Sequence, residues 1–241
     1  MSFDRVTWRP LPYSMGVPIG SDWQDKPASD PVFGLYTTCG FWTGAETQLL
    51  KSIAKQFQGH WLEIGAHTGW CTDAIICSGG ASGYGRWKVT AIEPMFSEME
   101  WYQRFCDNLR EDYENGALDL GHVRPWAGRS DQYFAIWDGG GGRTFDGCLI
   151  DGDHVAPHPL NDARACFDRL NERGVILLHD FRGPDVWDAA KYLVGRGMQW
   201  RVYPSVHMIF CAWRGEFSPP PDIQEGAVDW AKHYGLPEWA R

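Results

Sequence analysis

Strand-like and helix-like segments alternate through most of this 241-residue chain, from residue 43 to residue 213. Short apolar runs of strand length are each followed by a segment in which apolar residues recur every three or four positions, as on one face of a helix. Such alternation is typical of βαβ units, whose strands lie parallel in one sheet. The predicted strands cover residues 60–66, 88–93, 122–127, 145–151 and 174–179, and the predicted helices cover residues 43–57, 69–77, 98–113, 131–137, 157–170 and 185–194.

The two ends of this pattern carry their own signals. Thr43 suits the N-cap of the first helix, and Glu46 stands where it completes a capping box. Two further strand-like runs, residues 199–203 and 206–213, are separated only by Pro204 and Ser205. Because this link is too short for a crossover helix, the two strands must be antiparallel. We therefore predict an α/β fold: a Rossmann-like, doubly wound, mostly parallel seven-stranded sheet in three α/β/α layers, with a C-terminal antiparallel hairpin.

Composition narrows the classes of partner. The net charge is -9, the pI is near 5.3 and no cluster of Lys and Arg occurs, so we expect no nucleic-acid partner. No stretch reaches the roughly 20 apolar residues that span a bilayer, and the start of the chain lacks the character of a signal peptide. The 7 cysteines show no CxxC spacing, which favours reduced thiols and a cytoplasmic protein. The 14 tryptophans either fill the core or wall an apolar substrate cleft.

The first predicted strand ends in a glycine-containing turn, residues 61–69, which read Trp-Leu-Glu-Ile-Gly-Ala-His-Thr-Gly. Glycine lets the backbone approach a ligand closely, and the helix that follows offers free N–H groups. A dinucleotide-binding turn would read G-x-G-x-x-G, whereas this turn reads E-x-G-x-x-x-G. The acid before the loop suits a ligand with an ammonium group, such as the methionine part of S-adenosylmethionine. The candidate contacts are Glu63, Gly65, Ala66, His67, Thr68 and Gly69, with a generic strand-to-helix turn as the alternative.

Further polar residues end the second and third predicted strands. Glu93 ends the second, where an acid can accept hydrogen bonds from both hydroxyls of a ribose. Gly128, Arg129 and Ser130 end the third and are candidate contacts for adenine. Taken alone the latter signal is weak, because a Gly-x-Ser sequence is common at helix N-caps.

Acids and histidines end the fourth and fifth predicted strands. Asp151, Asp153 and His154 follow the fourth, and His179 and Asp180 follow the fifth. Polar groups are costly to bury, and doubly wound sheets bind ligands at this edge. Asp151, Asp180 and His179 are therefore candidate ligands of a cation such as Mg²⁺. Such a cation would lower the pKa of a substrate hydroxyl group bound to it and so make its oxygen a better nucleophile. His154, Asp153 and His179 are the candidate catalytic residues, and His154 or Asp153 could accept the hydroxyl proton.

By these residues the chain resembles the class I S-adenosylmethionine-dependent methyltransferases. Residues 150–154, 161–163 and 174–181 look like the branch that holds macrocin-type O-methyltransferases and cephalosporin-hydroxylase-like proteins. The resemblance implies S-adenosylmethionine along the strand ends, often with Mg²⁺ beside it. It places Glu63, Gly65 and Gly69 on the cofactor loop, Glu93 on the ribose, and Asp151 and Asp180 on the metal-binding acids. Asp151 is also a candidate contact of the cofactor. This chain departs from that pattern, because Asp180 is flanked by His179 and Phe181 rather than by a second acid or amide.

The resemblance also gives the extensions an expected role. We divide the chain into an N-terminal arm or lid (residues 1–42), an S-adenosylmethionine-binding methyltransferase domain (43–215) and a C-terminal tail (216–241). In methyltransferases of this fold such extensions commonly cover the acceptor, so we expect them to determine the substrate. That substrate is predicted to be a small molecule with a hydroxyl group, and the formation of a homo-oligomer stays open.

Two other functions remain open at this stage. The cluster of Asp151, Asp153, His154, His179 and Asp180 also suits a metal-dependent hydrolase or oxygenase, since two histidines and a carboxylate can bind iron. That reading leaves the glycine turn and Glu93 unexplained. The other alternative is a protein that keeps the cofactor pocket but has lost catalysis and acts as a binding module. The presence of Phe181 instead of an acid or amide beside Asp180 is compatible with that loss.

Overall fold

The computed structural model describes residues 42–79, 87–114, 122–136, 144–223 and 228–240. The seven strands are β1 (His60–Ile64), β2 (Lys88–Ile92), β3 (Val123–Trp126), β4 (Phe145–Ile150), β5 (Leu170–Leu178), β6 (Gln199–Tyr203) and β7 (Ile209–Arg214). The helices are α1 (Gly44–Ala54), α2 (Trp70–Ile76), α3 (Met99–Glu114), α4 (Ser130–Ile136), α5 (His158–Arg169), α6 (Pro184–Gly195) and α7 (Trp230–His233). Most of the predicted arm, residues 1–41, lies outside the described residues.

All seven strands form one sheet in the order β3-β2-β1-β4-β5-β7-β6. Strands β1 to β5 pair in parallel, and β7 is antiparallel to both of its neighbours. The predicted fold and its terminal hairpin are therefore confirmed. The strand order reverses between β1 and β4, and a crevice for ligands opens at the carboxyl ends of the strands at such a point. The loop after β1 and the residues after β4 both line this crevice.

The core lies on both faces of the sheet because every buried strand alternates its side chains between the faces. Leu177 packs in one apolar cluster with residues of α1, α2 and α3, and Leu178 packs in the other with residues of α5 and α6. Trp61, Trp87 and Trp230 are each at most 1% exposed, so these tryptophans fill the core. In the described part of the chain no helix is long and apolar enough to cross a membrane.

The hairpin differs from the prediction at its turn. The sequence pattern placed the second strand over residues 206–213, but β7 begins at Ile209. Met208 has a φ of +60°, which strand backbone does not adopt, and its N–H donates to the carbonyl of Ser205. Residues 204–208 therefore form a buried turn, and this turn carries His207 toward the sheet edge described below.

The C-terminal tail packs against the sheet and helices just described. Trp230 and Leu236 are each 1% exposed and belong to the apolar cluster that includes α5 and α6. Tyr234 accepts a hydrogen bond from Arg182 at 3.4 Å, and the Arg182 guanidinium lies 5.6 Å from the centre of its ring. Since Arg182 also contacts Asp180, the tail reaches the vicinity of the strand ends that carry the polar residues.

Candidate active site

The turn after β1 has a backbone that requires glycine at both ends. Gly65 and Gly69 have φ values of +88° and +85°, in the left-handed region that side chains disfavour. A Cβ at Gly65 would lie 2.1 Å from the carbonyl oxygen of Asp151. Gly65 is therefore needed to bring the ends of β1 and β4 together.

Glu63 lies in β1 just before the turn, and its side chain is buried beneath the turn. Its carboxylate is 1% exposed and accepts a hydrogen bond from the Thr72 hydroxyl in α2. Burial raises the pKa of Glu63 to about 8, and the nearby carboxylates of Asp151 and Glu93 add to the rise. Glu63 therefore supports the turn from beneath while the turn itself faces the cavity, and the contact of Glu63 with an ammonium group stays a prediction.

Glu93 holds the turn from the second strand. One of its carboxylate oxygens accepts from the backbone N–H of His67 and the other from that of Met95, each at 3.0 Å. Each oxygen of a carboxylate has two lone pairs, so one on each remains for a ligand. The side chain lines a cavity at the carboxyl ends of the strands.

The cavity has a volume of about 500 Å³, which suits a ligand of nucleoside size. Its wall runs from the β1 turn to the ends of β4 and β5 and includes many of the residues that the sequence indicated: Gly65, His67, Glu93, Arg129, Ser130, Asp151, Asp153, His154 and Asp180. Ile64, Ile92 and Pro94 supply apolar wall, and His158 and Asp162 complete it near α5.

Other predicted contacts lie behind the wall. Among the described residues, Ala66, Thr68 and Gly128 are not part of the cavity lining. Ala66 and Thr68 are each 3% exposed, so their side chains stabilise the turn from inside. A Cβ at Gly128 would meet the side chains of Gln132 and Trp126, each at 2.9 Å, which indicates a packing role for this glycine.

Two polar pairs close the cavity beside β3. The Ser130 hydroxyl donates to Asp162 at 2.6 Å, and Arg129 lies 3.1 Å from the ring of His158. Burial raises the pKa of Asp162 to about 6. His158 was not among the predicted site residues, because its place at the start of α5 gave no signal beyond that of a helix end.

The polar residues after β4 and β5 converge. Nδ1 of His179 lies 2.8 Å from Asp151 Oδ1 and 3.4 Å from Asp180 Oδ2. Nε2 of His154 lies between the same two carboxylates, 3.5 Å from Asp151 and 3.7 Å from Asp180. The Asp153 carboxylate is not part of this group and instead accepts a hydrogen bond from the backbone N–H of Val155 at 3.0 Å.

His154 and His179 differ in their access to the cavity. The side chain of His154 is 35% exposed and lines the cavity, whereas that of His179 is 1% exposed and lies behind the two acids. Of the predicted catalytic residues, His179 is therefore the one that does not line the cavity, and it contacts the two acids instead.

The charges of this group follow from its contacts. Burial alone would raise the pKa of the Asp151 carboxyl, but His179, His154 and Trp42 outweigh it and lower that pKa. Burial alone would lower the pKa values of both histidines, but Asp151 outweighs it, so the pKa of His154 lies above 6.5 and that of His179 well above it. Contacts between these acids and histidines therefore favour the charged form of both groups.

Three residues of this region were missed by sequence reasoning. Trp42 stacks on the His179 ring with 4.4 Å between centroids and donates from Nε1 to Asp151 Oδ2 at 2.7 Å. Glu46 is fully buried, 3.8 Å from His179 Nε2 and 2.9 Å from His207 Nδ1. Glu46 is also the capping-box residue of α1, as the sequence predicted. Because the capping box already explained Glu46, no sequence signal indicated its contact with His207, which is 161 residues away in the chain.

The same residues test whether Mg²⁺ suits the site. The side chains of Asp151, His154, His179 and Asp180 each bring one ligand atom within 4.8 Å of the others. Mg²⁺ requires oxygen ligands in octahedral geometry, yet two of these four donors are imidazoles. Trp42 already donates to one oxygen of Asp151, and Arg182 Nε lies 2.7 Å from one oxygen of Asp180. As arranged, these residues do not fit Mg²⁺.

Comparison with known proteins agrees with this geometry. A family model described as a methyltransferase domain matches residues 62–181, just under half of the chain. No curated protein sequence matches the chain.

Solved structures share its fold. A Klebsiella pneumoniae protein provisionally named an O-methyltransferase is 16% identical, with a TM-score of 0.57 over 73% of this chain and 82% of that one. The Streptomyces achromogenes O-methyltransferase TomG of tomaymycin synthesis, solved with S-adenosylmethionine, is 15% identical, with a TM-score of 0.54 over 74% and 83%. A Bacillus cereus O-methyltransferase in complex with S-adenosylhomocysteine is 15% identical, with a TM-score of 0.53 over 70% and 80%.

The matched residues 62–181 begin in β1 and end just after β5, so they contain the glycine turn, Glu93 and the polar strand ends together. Residues 62–181 are therefore similar to a methyltransferase domain, and the sheet has the fold of these solved O-methyltransferase structures.

Proposed function

We propose that this protein transfers a methyl group from S-adenosylmethionine to a hydroxyl group of a small molecule, such as a sugar, a phenol or a natural product. One observation carries the proposal: the Gly65 turn and Glu93 open into the same cavity as Asp151 and His154. A nucleoside-binding end and an acid–base end thus share one continuous space. The O-methyltransferases of the same fold that were solved with this cofactor or its demethylated product support the proposal.

The cofactor contacts follow from the cavity wall. The free lone pairs on Glu93 are suited to accept from the two ribose hydroxyls. The apolar side chains of Ile92 and Pro94, with Arg129 and Ser130 beyond them, suit the adenine. The turn around Gly65 and the acid at Asp151 then face the methionine part of the cofactor, whose ammonium group an ionised carboxylate would pair with.

His154 is the proposed general base. Its Nε2 faces the carboxylates of Asp151 and Asp180, so a proton held on Nε2 leaves Nδ1 to accept from the substrate. This is the arrangement by which a carboxylate fixes the tautomer of a catalytic histidine. As the acceptor oxygen attacks the methyl carbon, the bond from carbon to sulfur breaks and its electron pair stays on sulfur. The hydroxyl proton passes to Nδ1, and the products are the methyl ether and neutral S-adenosylhomocysteine.

The segments on either side of the methyltransferase domain bear on which molecule receives the methyl group. We propose that residues 1–42 and the tail 216–241 flank the methyltransferase domain of residues 43–215 and determine the acceptor, because Tyr234 of the tail contacts Arg182 beside Asp180. A net charge of -9 disfavours a nucleic-acid substrate. A cytoplasmic location fits the six described cysteines, none of which forms a disulfide with another described residue.

Calorimetry with S-adenosylmethionine and S-adenosylhomocysteine tests the cofactor, and transfer of a labelled methyl group to a panel of phenols and sugars tests the reaction. The proposal expects both nucleosides to bind and His154→Gln to bind them equally while losing transfer. Failure of both to bind at millimolar concentration would overturn it. Binding with no transfer to any acceptor, from wild type and His154→Gln alike, would favour an inactive cofactor-binding module.

A further inference from the structure

Asp162 of α5 is a buried acid on the wall of the cavity, close to β3. The residue is 6% exposed and lines the cavity, as does Ser130 at the start of α4. The Ser130 hydroxyl donates to Asp162 Oδ1 at 2.6 Å, and within the described part of the chain no other group donates a hydrogen bond to this carboxylate. A carboxylate accepts through both oxygens, so Oδ2 of Asp162 is available to a donor group of a ligand.

The pair of Ser130 and Asp162 offers acceptors and no donor to such a ligand. The hydrogen of the Ser130 hydroxyl is used in the bond to Asp162, so the serine oxygen presents only lone pairs. Burial raises the pKa of Asp162 to about 6, so at about pH 8 the carboxylate is ionised and has no proton to give. A ligand group that meets this pair is therefore favoured when it donates hydrogen bonds.

The proposed position of the cofactor brings its base to this pair. In the proposed function Glu93, which follows β2, accepts from the ribose, and the methionine part lies toward Asp151, which follows β4. Strand β3 lies on the other side of β2, at the edge of the sheet, so the base extends from Glu93 toward the residues that follow β3. Ser130 follows β3, and Asp162 reaches it from α5. Adenine carries a donor, its exocyclic amino group N6, to meet the pair.

We propose that Asp162, held by Ser130, accepts a hydrogen bond from the N6 amino group of adenine and thereby selects S-adenosyl compounds over their 6-oxo counterparts. A compound with hypoxanthine in place of adenine carries a carbonyl oxygen at position 6, which would face the carboxylate oxygen of Asp162. Two acceptors placed together leave both without a donor, and the ionised acid repels the partial negative charge of the carbonyl. The inference rests on the proposed function, because it takes S-adenosylmethionine as the ligand.

A purely structural role of the pair is the alternative. Ser130 begins α4 and Asp162 lies in α5, so their hydrogen bond also joins these two helices. Loss of a structural contact would lower the stability of the protein and its affinity for all nucleosides alike. Loss of N6 recognition would instead change the ratio of the affinities for the adenine compound and the hypoxanthine compound. This ratio is therefore the quantity to measure.

The first test uses the wild-type protein. S-adenosylhomocysteine and S-inosylhomocysteine differ only in the group at position 6 of the base and in the proton on N1. Both are titrated by calorimetry at about pH 8, where Asp162 is ionised. We expect the adenine compound to bind about tenfold to a hundredfold more tightly, the range of one hydrogen bond to a charged group. Equal affinities would overturn the inference.

The second test assigns this discrimination to Asp162. Asp162→Asn keeps the size of the side chain and an oxygen that accepts from Ser130, but it presents an amide NH₂ group to the ligand. The two affinities should then agree within about threefold, because the adenine compound binds more weakly. Asp168→Asn, on the exposed side of the same helix, is the matched control and should keep the wild-type ratio. A folded Asp162→Asn protein with the wild-type ratio would contradict the inference.

A crystal structure of the wild-type protein with S-adenosylhomocysteine decides the matter if Asp162→Asn fails to fold. N6 should lie within about 3.2 Å of Asp162 Oδ2, and an N6 group that faces solvent or a different acceptor would overturn the inference. Failure of S-adenosylhomocysteine to bind at millimolar concentration would overturn the proposed function and this inference together. Equal binding of the adenine and hypoxanthine compounds would overturn this inference alone and leave the proposed function standing.

Discussion

The buried Glu63 makes a quantitative prediction about stability and pH. Its pKa is about 8 in the folded protein, against an ordinary 4.5, because burial disfavours the charged carboxylate. An acid whose pKa is raised by folding contributes stability that is fully present below the unfolded pKa and is lost as the pH rises toward the folded pKa. The Glu63 contribution should therefore fall between pH 4.5 and pH 8.

The magnitude follows from the same two values. Each pH unit between them costs about 1.4 kcal/mol, so this one group should remove up to about 5 kcal/mol of unfolding free energy across the interval. Glu63→Gln keeps the size of the side chain and its ability to accept from Thr72, but it has no charge to bury. The stability of the variant relative to wild type should therefore increase steadily as the pH is raised.

Urea unfolding at several pH values between 5 and 8 measures this difference. Glu100→Gln is the matched control, because the Glu100 side chain is 69% exposed, and its curve should run parallel to that of wild type. A constant difference between Glu63→Gln and wild type over the whole range would refute the reasoning. It would mean that Glu63 is already ionised in the folded protein and that its environment is more polar than its burial indicates.

Three further predictions follow from single contacts. Gly65→Ala should destabilise the fold by more than about 2 kcal/mol and abolish cofactor binding, because it adds a clash to a left-handed backbone, whereas Gly195→Ala, with open space around it, should be neutral or slightly stabilising in the same urea assay. Methyl transfer should rise with pH through a pKa above 6.5, since the neutral form of His154 is the base, and His154→Gln should lower kcat by about 10²-fold to 10⁴-fold and remove that rise; a flat wild-type profile would contradict this role. Trp230→Ala should cost about 3–5 kcal/mol in urea unfolding, while Lys232→Ala on the exposed side of α7 should cost little; equal costs would show that the tail does not stabilise the core.

Much of the fold could be predicted because its signals are local. Each strand from β1 to β5 is a short apolar run followed by a helical pattern, and the parallel sheet follows from that alternation. The β6–β7 turn was misread because Val206 and Met208 look like strand residues, and only the positive φ of Met208 shows that the chain turns there. Apolar residues in a buried turn cannot be told from strand residues by periodicity alone.

The site was predicted less completely, for a different reason. Residues at strand ends such as Glu93 and Asp151 could be found because a parallel sheet brings those ends together. Glu46 and His207 could not, because they meet across 161 residues and neither carries a sequence signal of the other. The burial of Glu63 was also hidden, since a sequence shows that an acid precedes the turn but does not show which way its side chain points.

Binding of S-adenosylhomocysteine to wild type and to Glu93→Gln, measured by calorimetry, tests the central claim most directly. The wild type should bind, and the variant should bind about tenfold to a hundredfold more weakly, because hydrogen bonds from the ribose to a charged acceptor are worth about 1.5–3 kcal/mol. Glu100→Gln, exposed on α3, should bind as the wild type does. No binding to the wild type, or equal binding to Glu93→Gln, would contradict the account that this cavity holds the cofactor through Glu93.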